Sequence, residues 1–213
     1  MMARIAVVYG SVRTDRQGIK AATFLAKELR GRGRDVTLVD PIDYQLPLLD
    51  KMYKEYENPP VHMKQLAETF DAADGFVIVT GEYNHGVPPA LKNLLDHFQE
   101  EYLFKPSAIA SYSAGSYGGV RAAVQMRIIA SELGMPTISS MFAIPQVQNN
   151  FDEKGKLLTD GFDRRVNRFL DEFDWYVEAL KEQGYSESEA WAICQSQNED
   201  SRNRTDKASS ESD

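Results

Sequence analysis

The chain has 213 residues, 42% of them hydrophobic and 26% charged, which is typical of a globular protein rather than a fibrous or membrane-spanning one. The net charge of −8 argues against nucleic acid as a partner, because the field of the whole protein would repel phosphate backbones. With one cysteine, Cys194, and a first apolar run too short for a signal peptide or a membrane span, we predict a cytoplasmic protein without disulfides or a membrane partner.

Short apolar runs alternate with helical patterns along the chain. Strands are predicted over Arg4–Tyr9, Asp35–Val39, Gly75–Thr80, Ser107–Ser111 and Met135–Ile138, the last resuming over Met141–Ile144. Helices are predicted over Gln17–Gly31, Val61–Ala72, Pro88–Glu101 and Gly119–Leu133, and an apolar stripe from Phe162 to Leu180 predicts a final one. This alternation is typical of an α/β fold in which a parallel sheet is covered by helices on both sides.

Three segments depart from the alternation. Asp40 to Pro60 contains four prolines and is predicted to be a long surface excursion, and Asn149 to Thr159 is predicted to form a small hairpin or loop arm. Ser186 and Glu189 have the spacing of a capping box, which predicts a short helix over residues 184–195. Residues 196–213 are almost entirely polar and are predicted to be a disordered tail, so the folded domain is expected to span residues 1–183.

The exit loops of three strands are rich in small and polar residues. Strands one, three and four lead into "GSVRTDRQG", "TGEYNHGVPP" and "SYSAGSYGGVRAA". In an open parallel sheet, ligands bind beyond the carboxyl ends of the strands, at the point where the strand order reverses. A five-stranded sheet of order 2-1-3-4-5 would place these three loops side by side, so we predict a ligand site there.

The first loop suits a phosphate group but not a dinucleotide or nucleoside triphosphate. It has neither the G-x-G-x-x-G spacing nor a Walker A pattern. Ser11 offers a hydroxyl, and Arg13 and Arg16 lie where a helix begins, an end that already carries partial positive charge. Cations are unfavourable there unless an anion lies among them, which favours a terminal phosphate monoester. The alternative is a solvated loop with ordinary arginines.

The second and third loops suit a flat ligand. Tyr83 and His85 lie together in a glycine-flanked turn before a helix, and the third loop has three glycines within seven residues, which indicates close approach of its backbone to a ligand or a neighbouring chain. The alternatives are a simple strand-to-helix turn and a flexible turn. His85 has no evident carboxylate or nucleophile beside it, so we do not assign it as a general base.

Together the three loops resemble the NAD(P)H-dependent FMN reductase family, which also includes quinone, azo-dye and chromate reductases and arsenical-resistance flavoproteins. The resemblance runs from about Ala3 to Leu180, and its most specific motif is Glu82-Tyr83-Asn84-His85-Gly86-Val87-Pro88. It implies a three-layer, flavodoxin-like, doubly wound parallel sheet. This chain departs from the family pattern at Gly81, where a proline is usual, and at Pro89, where a small residue is common.

The resemblance also implies the residues that bind the cofactor. Ser11, Arg13 and Arg16 would hold the FMN phosphate, Glu82, Tyr83, Asn84 and His85 would line the edge of the ring system, and Ser113 and Gly115 would close its other side. Gly18, Gly86 and Gly118 complete the cofactor-binding positions. No catalytic side chain or metal site is implied, because the flavin carries the chemistry.

The implied activity is hydride transfer from NADPH or NADH onto bound FMN, followed by electron transfer to a small acceptor, in a ping-pong mechanism. The acceptor would be a quinone, an azo compound, a metal oxyanion or free flavin. The alternatives are a flavodoxin-type electron carrier and a signalling domain without cofactor. The family also implies a homodimer or homotetramer, for which Leu95, Phe98, Tyr102 and Phe104 are candidate contacts, although ordinary core positions would explain them equally well.

Overall fold

The structure, a computed structural model, describes residues 2–158 and 161–183. Its five strands are β1 (Arg4–Tyr9), β2 (Asp35–Val39), β3 (Gly75–Gly81), β4 (Ser107–Tyr112) and β5 (Thr137–Ile144). All neighbouring strands are parallel and their order is β2-β1-β3-β4-β5, which confirms the predicted sheet. The central strands are apolar and buried along nearly their whole length because helices cover both faces of the sheet.

The helices form one layer on each side of the sheet. They are α1 (Gly18–Gly31), α2 (Pro41–Tyr44), α3 (Val61–Ala72), α4 (Pro89–Asp96), α5 (Val120–Glu132) and α6 (Phe162–Gln183). Apolar residues of α1 and α6 pack on the sheet face that carries Ile5, Val7 and Tyr9, whereas α3, α4 and α5 pack on the face that carries Ala6 and Val8. Successive side chains of β1 thus enter opposite cores, as the two-residue period of a strand requires.

Two predicted elements differ from those in the structure. The helix predicted over Pro88–Glu101 ends at Asp96, and a short 3-10 turn follows over Glu100–Tyr102. The break between the two parts of the last strand is a register shift inside one continuous strand, β5, where the Glu172 carboxylate accepts hydrogen bonds from Ser139 N at 2.8 Å and Ser140 N at 3.2 Å. The side chain of α6 thereby satisfies N–H groups that the irregular ladder leaves free.

The candidate subunit contacts near α4 belong mostly to the core. Leu95, Phe98 and Tyr102 are at most 1% exposed, and the Phe98 and Tyr102 rings both pack against Phe70 of α3. Of the four residues considered, Phe104 alone is partly buried rather than buried. The core explanation therefore holds for the first three, and a subunit interface would have to use other residues.

The two predicted excursions are ordered and pack on the domain. Residues 40–60 contain α2 and a short 3-10 helix over Tyr53–Glu55. The arm after β5 closes through a bridge between Phe151 and Leu157, as predicted, and its Phe151 ring lies 5.4 Å from that of Phe24 on α1. The predicted terminal helix and tail, from residue 184 onward, lie outside the described residues. No helix in the described part of the chain is long and apolar enough to cross a membrane.

Candidate active site

The three predicted loops meet at the carboxyl edge of the sheet. The hydroxyls of Ser11, after β1, and Tyr83, after β3, are 2.5 Å apart, and Ser11 is only 2% exposed. The Glu82 carboxylate joins the second loop to the third, because it accepts a hydrogen bond from Arg121 N at 3.0 Å at the start of α5. Side chains therefore connect all three loops directly, as the strand order predicts.

In the first loop, Arg13 carries a positive charge that no anion within the described part of the chain neutralises. The Arg13 side chain is exposed, its guanidinium carbon lies 5.8 Å from the centre of the Tyr83 ring, and it has no ion-pair partner among residues 2–158 and 161–183. The N-cap residue of α1, Gln17, makes no side-chain cap hydrogen bond, and the first turn of α1 has no acidic residue. A helix start of this kind favours an anion beside it.

Arg16 differs, because its anion is part of the protein. Its guanidinium donates to both carboxylate oxygens of Asp40, at 2.6 and 2.5 Å, and also to the carbonyl oxygen of Ser11 at 2.9 Å. Burial acts against the charged form, but the hydrogen bonds and charge of Asp40 outweigh it, so the pKa of Arg16 lies above its usual value. Arg16 thus has its anion within the protein, which corrects the expectation of an external one, whereas the phosphate contact of Arg13 stays a prediction.

The second loop is a tight two-residue hairpin. Tyr83 and Gly86 exchange both main-chain hydrogen bonds at 2.9 Å, and the two tip residues, Asn84 and His85, have φ values of 49° and 67°. Two consecutive positive φ values identify a type I′ turn. The N–H groups of Asn84 and His85 have no hydrogen-bond partner among the described residues. They are available to the carbonyl oxygens or ring nitrogens of a ligand.

Helix α5 fixes this turn from the other side. Glu82 accepts hydrogen bonds from the N–H groups of Arg121 and Ala122, at 3.0 and 3.4 Å, and the Arg121 guanidinium lies 3.2 Å from the same carboxylate. Gln125 accepts a further bond from Val87 N at 3.2 Å. The Glu82 side chain therefore caps α5 and positions the turn.

The glycines of the third loop occur there for two different reasons. A Cβ at Gly119, where φ is +76°, would lie 2.6 Å from the carbonyl oxygen of Tyr112, and one at Gly118, where φ is +64°, would lie 3.0 Å from Pro145 N. The protein's own backbone thus requires these two glycines, which corrects the expectation that a ligand or neighbouring chain requires them all. A Cβ at Gly115 would meet nothing within 4 Å, so there is open space beside this residue. The Ser113 hydroxyl donates a hydrogen bond to the Gly115 carbonyl oxygen.

A buried tyrosine pair that the sequence analysis missed lies beneath these loops. Tyr112 donates a hydrogen bond to the Tyr9 hydroxyl at 3.2 Å, and burial raises the pKa of Tyr112 far above its usual range, so the pair stays neutral. A Cβ at Gly18 would lie 2.0 Å from the Tyr112 ring and one at Gly81 would lie 3.0 Å from it. The glycine at position 81, where proline is usual, thus accommodates the Tyr112 ring, and Gly18 accommodates it at the start of α1.

Residues 3–149 match the NADPH-dependent FMN reductase family. The chain belongs to this family. A quinone reductase of Pseudomonas putida is 33% identical over 179 residues, which are 81% of this chain and 94% of that protein. An NAD(P)H-dependent FMN reductase of Schizosaccharomyces pombe is 36% identical over 146 residues, which are 66% of this chain and 72% of that protein.

Solved structures show the same fold. FerB, a flavoenzyme NAD(P)H:(acceptor) oxidoreductase from Paracoccus denitrificans, matches with a TM-score of 0.70 at 22% identity and covers 86% of this chain and 100% of its own. RosB matches with a TM-score of 0.67 at 14% identity and covers 93% of this chain and 87% of its own. Membership of the family makes the chain an oxidoreductase with FMN as cofactor and NAD(P)H as co-substrate.

The described residues fit FMN. The uncapped start of α1, Arg13 and the Ser11 hydroxyl offer the positive charge and the hydrogen-bonding groups that suit a terminal phosphate. The free N–H groups of the type I′ turn and the open space at Gly115 suit the polar edge and the plane of a ring system. No cluster of three or more metal-ligating side chains occurs within the described ranges.

Proposed function

We propose that this protein is a cytoplasmic reductase that takes hydride from NADPH or NADH and passes electrons to a small acceptor by a ping-pong mechanism. The acceptor classes are quinones, azo compounds, metal oxyanions and free flavins. The observation that supports this proposal most is the convergence of three exit loops, one with a cationic helix start and one with free N–H groups, at one edge of the sheet. The quinone reductase and FMN reductase relatives agree with it.

Different residues would bind the two ends of the cofactor. Ser11, Arg13 and the N–H groups at the start of α1, including that of Gly18, would bind the phosphate. The turn that contains Glu82, Tyr83, Asn84, His85 and Gly86 would bind the polar ring edge through its main chain, and the loop that contains Ser113, Gly115 and Gly118 would face the ring. When bound, FMN supplies the capacity to accept hydride and release electrons, and the protein supplies binding and orientation.

The site needs no acid–base side chain. Within the described residues, His85 has no hydrogen-bond or ion-pair partner, so nothing orients it as a general base. Tyr9 and Tyr112 are held neutral, since burial raises the pKa of both hydroxyls. The N–H groups of the turn tip are fixed donors, and fixed donors stabilise negative charge that develops beside them without having to reorganise.

Initial-rate kinetics test the proposed mechanism. NADPH and a quinone such as benzoquinone would be varied together with the FMN-loaded protein. If both substrates use the same open face in turn, double-reciprocal plots at several quinone concentrations will be parallel. Intersecting lines would show that both substrates are bound at once and would refute the shared site.

We also propose that the protein forms a homodimer or homotetramer. Exposed apolar residues support this proposal: Val124 and Ile128 lie one turn apart on α5 and are 52% and 69% exposed, and Tyr117, which precedes α5, is 68% exposed. Patches of this kind are common in subunit contacts. Light scattering at micromolar concentration tests the proposal, and a monomer mass would refute it.

A further inference from the structure

Arg16 is surrounded by protein groups that use most of its hydrogen-bonding capacity. Nη1 donates to Ser11 O at 2.9 Å and to Asp40 Oδ1 at 2.6 Å, while Nη2 donates to Asp40 Oδ2 at 2.5 Å. The guanidinium carbon lies 5.3 Å from the centre of the Tyr9 ring, close enough for a cation–π contact. The side chains of the pair are only 18% and 11% exposed, so water screens it weakly.

Asp40 connects two strand ends through this arginine. It directly follows β2, whose Val39 pairs with Val8 of β1, and Ser11 follows β1. The same carboxylate is the N-cap of α2, because Oδ1 accepts a hydrogen bond from Ile42 N at 3.1 Å. The link from Asp40 through Arg16 to the Ser11 carbonyl therefore fixes the backbone of the first loop, residues 10–18, relative to β2. Because this loop is proposed to bind the phosphate, we call it the phosphate loop.

Direct binding of a phosphate by the Arg16 fork would be costly. The guanidinium would have to leave Asp40, and a part-buried carboxylate without its partner is strongly unfavourable. A phosphate that approached the intact pair would also meet the negative charge of Asp40. Arg13 carries no such cost, because within the described residues no carboxylate competes for it.

We infer that Asp40 is a positioning residue for cofactor binding. It acts by holding Arg16 as a strut, which here means a fixed link from the Asp40 carboxylate to the Ser11 carbonyl oxygen of the phosphate loop. This inference rests on the proposed function. Arg16 then orders the Ser11 main chain while Ser11, Arg13 and the start of α1 contact the phosphate. The alternative, in which Arg16 is itself a phosphate ligand, makes Asp40 a competitor of the cofactor.

The two roles predict opposite changes in FMN affinity for one substitution, Asp40→Asn. Asparagine is almost isosteric and still caps α2, but it cannot hold the Arg16 fork through two charged oxygens. A strut role predicts weaker FMN binding, whereas competition predicts tighter binding because Arg16 is released. Asp43→Asn is the matched control, since Asp43 is exposed, lies three residues away and makes no ion pair within the described residues, while its charge acts on Arg16 less than that of Asp40 does.

The experiment titrates full-length apoprotein with FMN and, separately, with riboflavin, which lacks the phosphate. We expect Asp40→Asn to weaken FMN binding about tenfold, equivalent to about 1.4 kcal/mol, and riboflavin binding by less than about threefold. Asp43→Asn should change either affinity by less than about twofold. A substitution that only perturbed the structure would weaken the binding of FMN and riboflavin in the same proportion. The ratio of the two affinities therefore reports the positioning of the phosphate loop.

Arg16→Lys keeps the test decisive if Asp40→Asn does not fold. Lysine retains the charge, and as a point charge it would still serve a direct phosphate contact, but it cannot replace the bidentate strut. We expect FMN affinity to fall about tenfold in this variant also. Unchanged or tighter FMN binding in Asp40→Asn, equal loss of both ligands, or wild-type affinity in Arg16→Lys would overturn the inference. Failure of the wild-type protein to bind FMN would instead refute the proposed function, and the inference with it.

Discussion

The Ser11 hydroxyl and the Tyr83 hydroxyl lie 2.5 Å apart although 72 positions separate them in the chain. This contact joins the exit of β1 to the exit of β3 at the edge where the ligand is proposed to bind. Arg13 lies over the Tyr83 ring, with 5.8 Å between the guanidinium carbon and the ring centre, so the same tyrosine contacts both groups proposed to bind the phosphate. Tyr83 therefore links the proposed phosphate site to the proposed ring edge.

Replacing Tyr83 by phenylalanine should loosen the phosphate site without removing the aromatic ring. The lost hydrogen bond should lower the free energy of unfolding by about 1 kcal/mol and weaken FMN binding about fivefold, because Ser11 Oγ loses its orientation. Urea unfolding and FMN titration measure the two effects. Tyr176→Phe is the control, since Tyr176 lies on α6, away from the three loops, and its hydroxyl makes no hydrogen bond within the described residues. Equal FMN affinity in Tyr83→Phe and the wild type would contradict the assigned role.

The fold could be predicted from the sequence because its determining signals are local. Each buried strand is a short apolar run between polar loops, and each helix carries apolar residues at spacings of three and four. The strand order was implied by the family resemblance and agreed with the three loops rich in small residues, because it places them side by side where a ligand binds. The end of α4 was missed because Phe98 and Tyr102 continue an apolar helical pattern although the chain turns after Asp96.

The site could be predicted at the level of loops but not of side-chain partners. Arg16 and Asp40 are 24 positions apart, and Arg121 and Glu82 are 39 apart, so nothing in the local pattern links them. An arginine at a helix start looks the same in the sequence whether its anion is a ligand or a carboxylate from the next strand. Only the distances between loops distinguish the two cases.

Glu82 should contribute to stability through the start of α5. Truncation by Glu82→Ala leaves two N–H groups and Arg121 without their acceptor, and should lower the free energy of unfolding by about 1–2 kcal/mol. Glu132→Ala, at the opposite end of the same helix and exposed, should change it by less than about 0.5 kcal/mol. Urea midpoints of the two variants decide the matter, and equal midpoints would refute the capping role.

Two glycines of the site should respond in opposite ways to alanine. Gly18→Ala would place a Cβ 2.0 Å from the Tyr112 ring, and should destabilise the fold by about 2–3 kcal/mol. Gly115→Ala meets nothing within 4 Å, so its melting temperature should match that of the wild type. FMN should nevertheless bind more weakly to Gly115→Ala, because the methyl group fills space proposed for the ligand. A stable Gly18→Ala variant, or unchanged FMN affinity in Gly115→Ala, would contradict these assignments.

Glu172 should make the protein sensitive to acid. Burial acts to raise its pKa, but the donors of Ser139 and Ser140 outweigh burial, so the pKa lies below the usual 4.5. A carboxyl group whose pKa is lower in the folded than in the unfolded state stabilises the fold above its unfolded pKa, and this stability is lost as the pH falls through the folded pKa. The contribution of Glu172 should therefore be full at pH 7 and fade below about pH 4.5.

Glu172→Gln tests this pH dependence. Its melting temperature should be lower than that of the wild type at pH 7, and the difference should shrink at about pH 3.5, where the wild-type carboxyl group is also becoming protonated. Glu182→Gln, an exposed change on the same helix, should behave as the wild type at both pH values. A difference between Glu172→Gln and the wild type that stays constant with pH would contradict the assignment.

An anaerobic absorbance titration tests the central claim most directly. The purified protein is mixed with FMN, separated from free flavin, and then titrated with NADPH while the visible absorbance of the bound flavin is followed. The account predicts that FMN stays with the protein and that its visible band bleaches in proportion to the NADPH added. Bound FMN whose band is unchanged by both NADPH and NADH would point to a flavodoxin-type electron carrier, and absence of FMN binding would contradict the site itself.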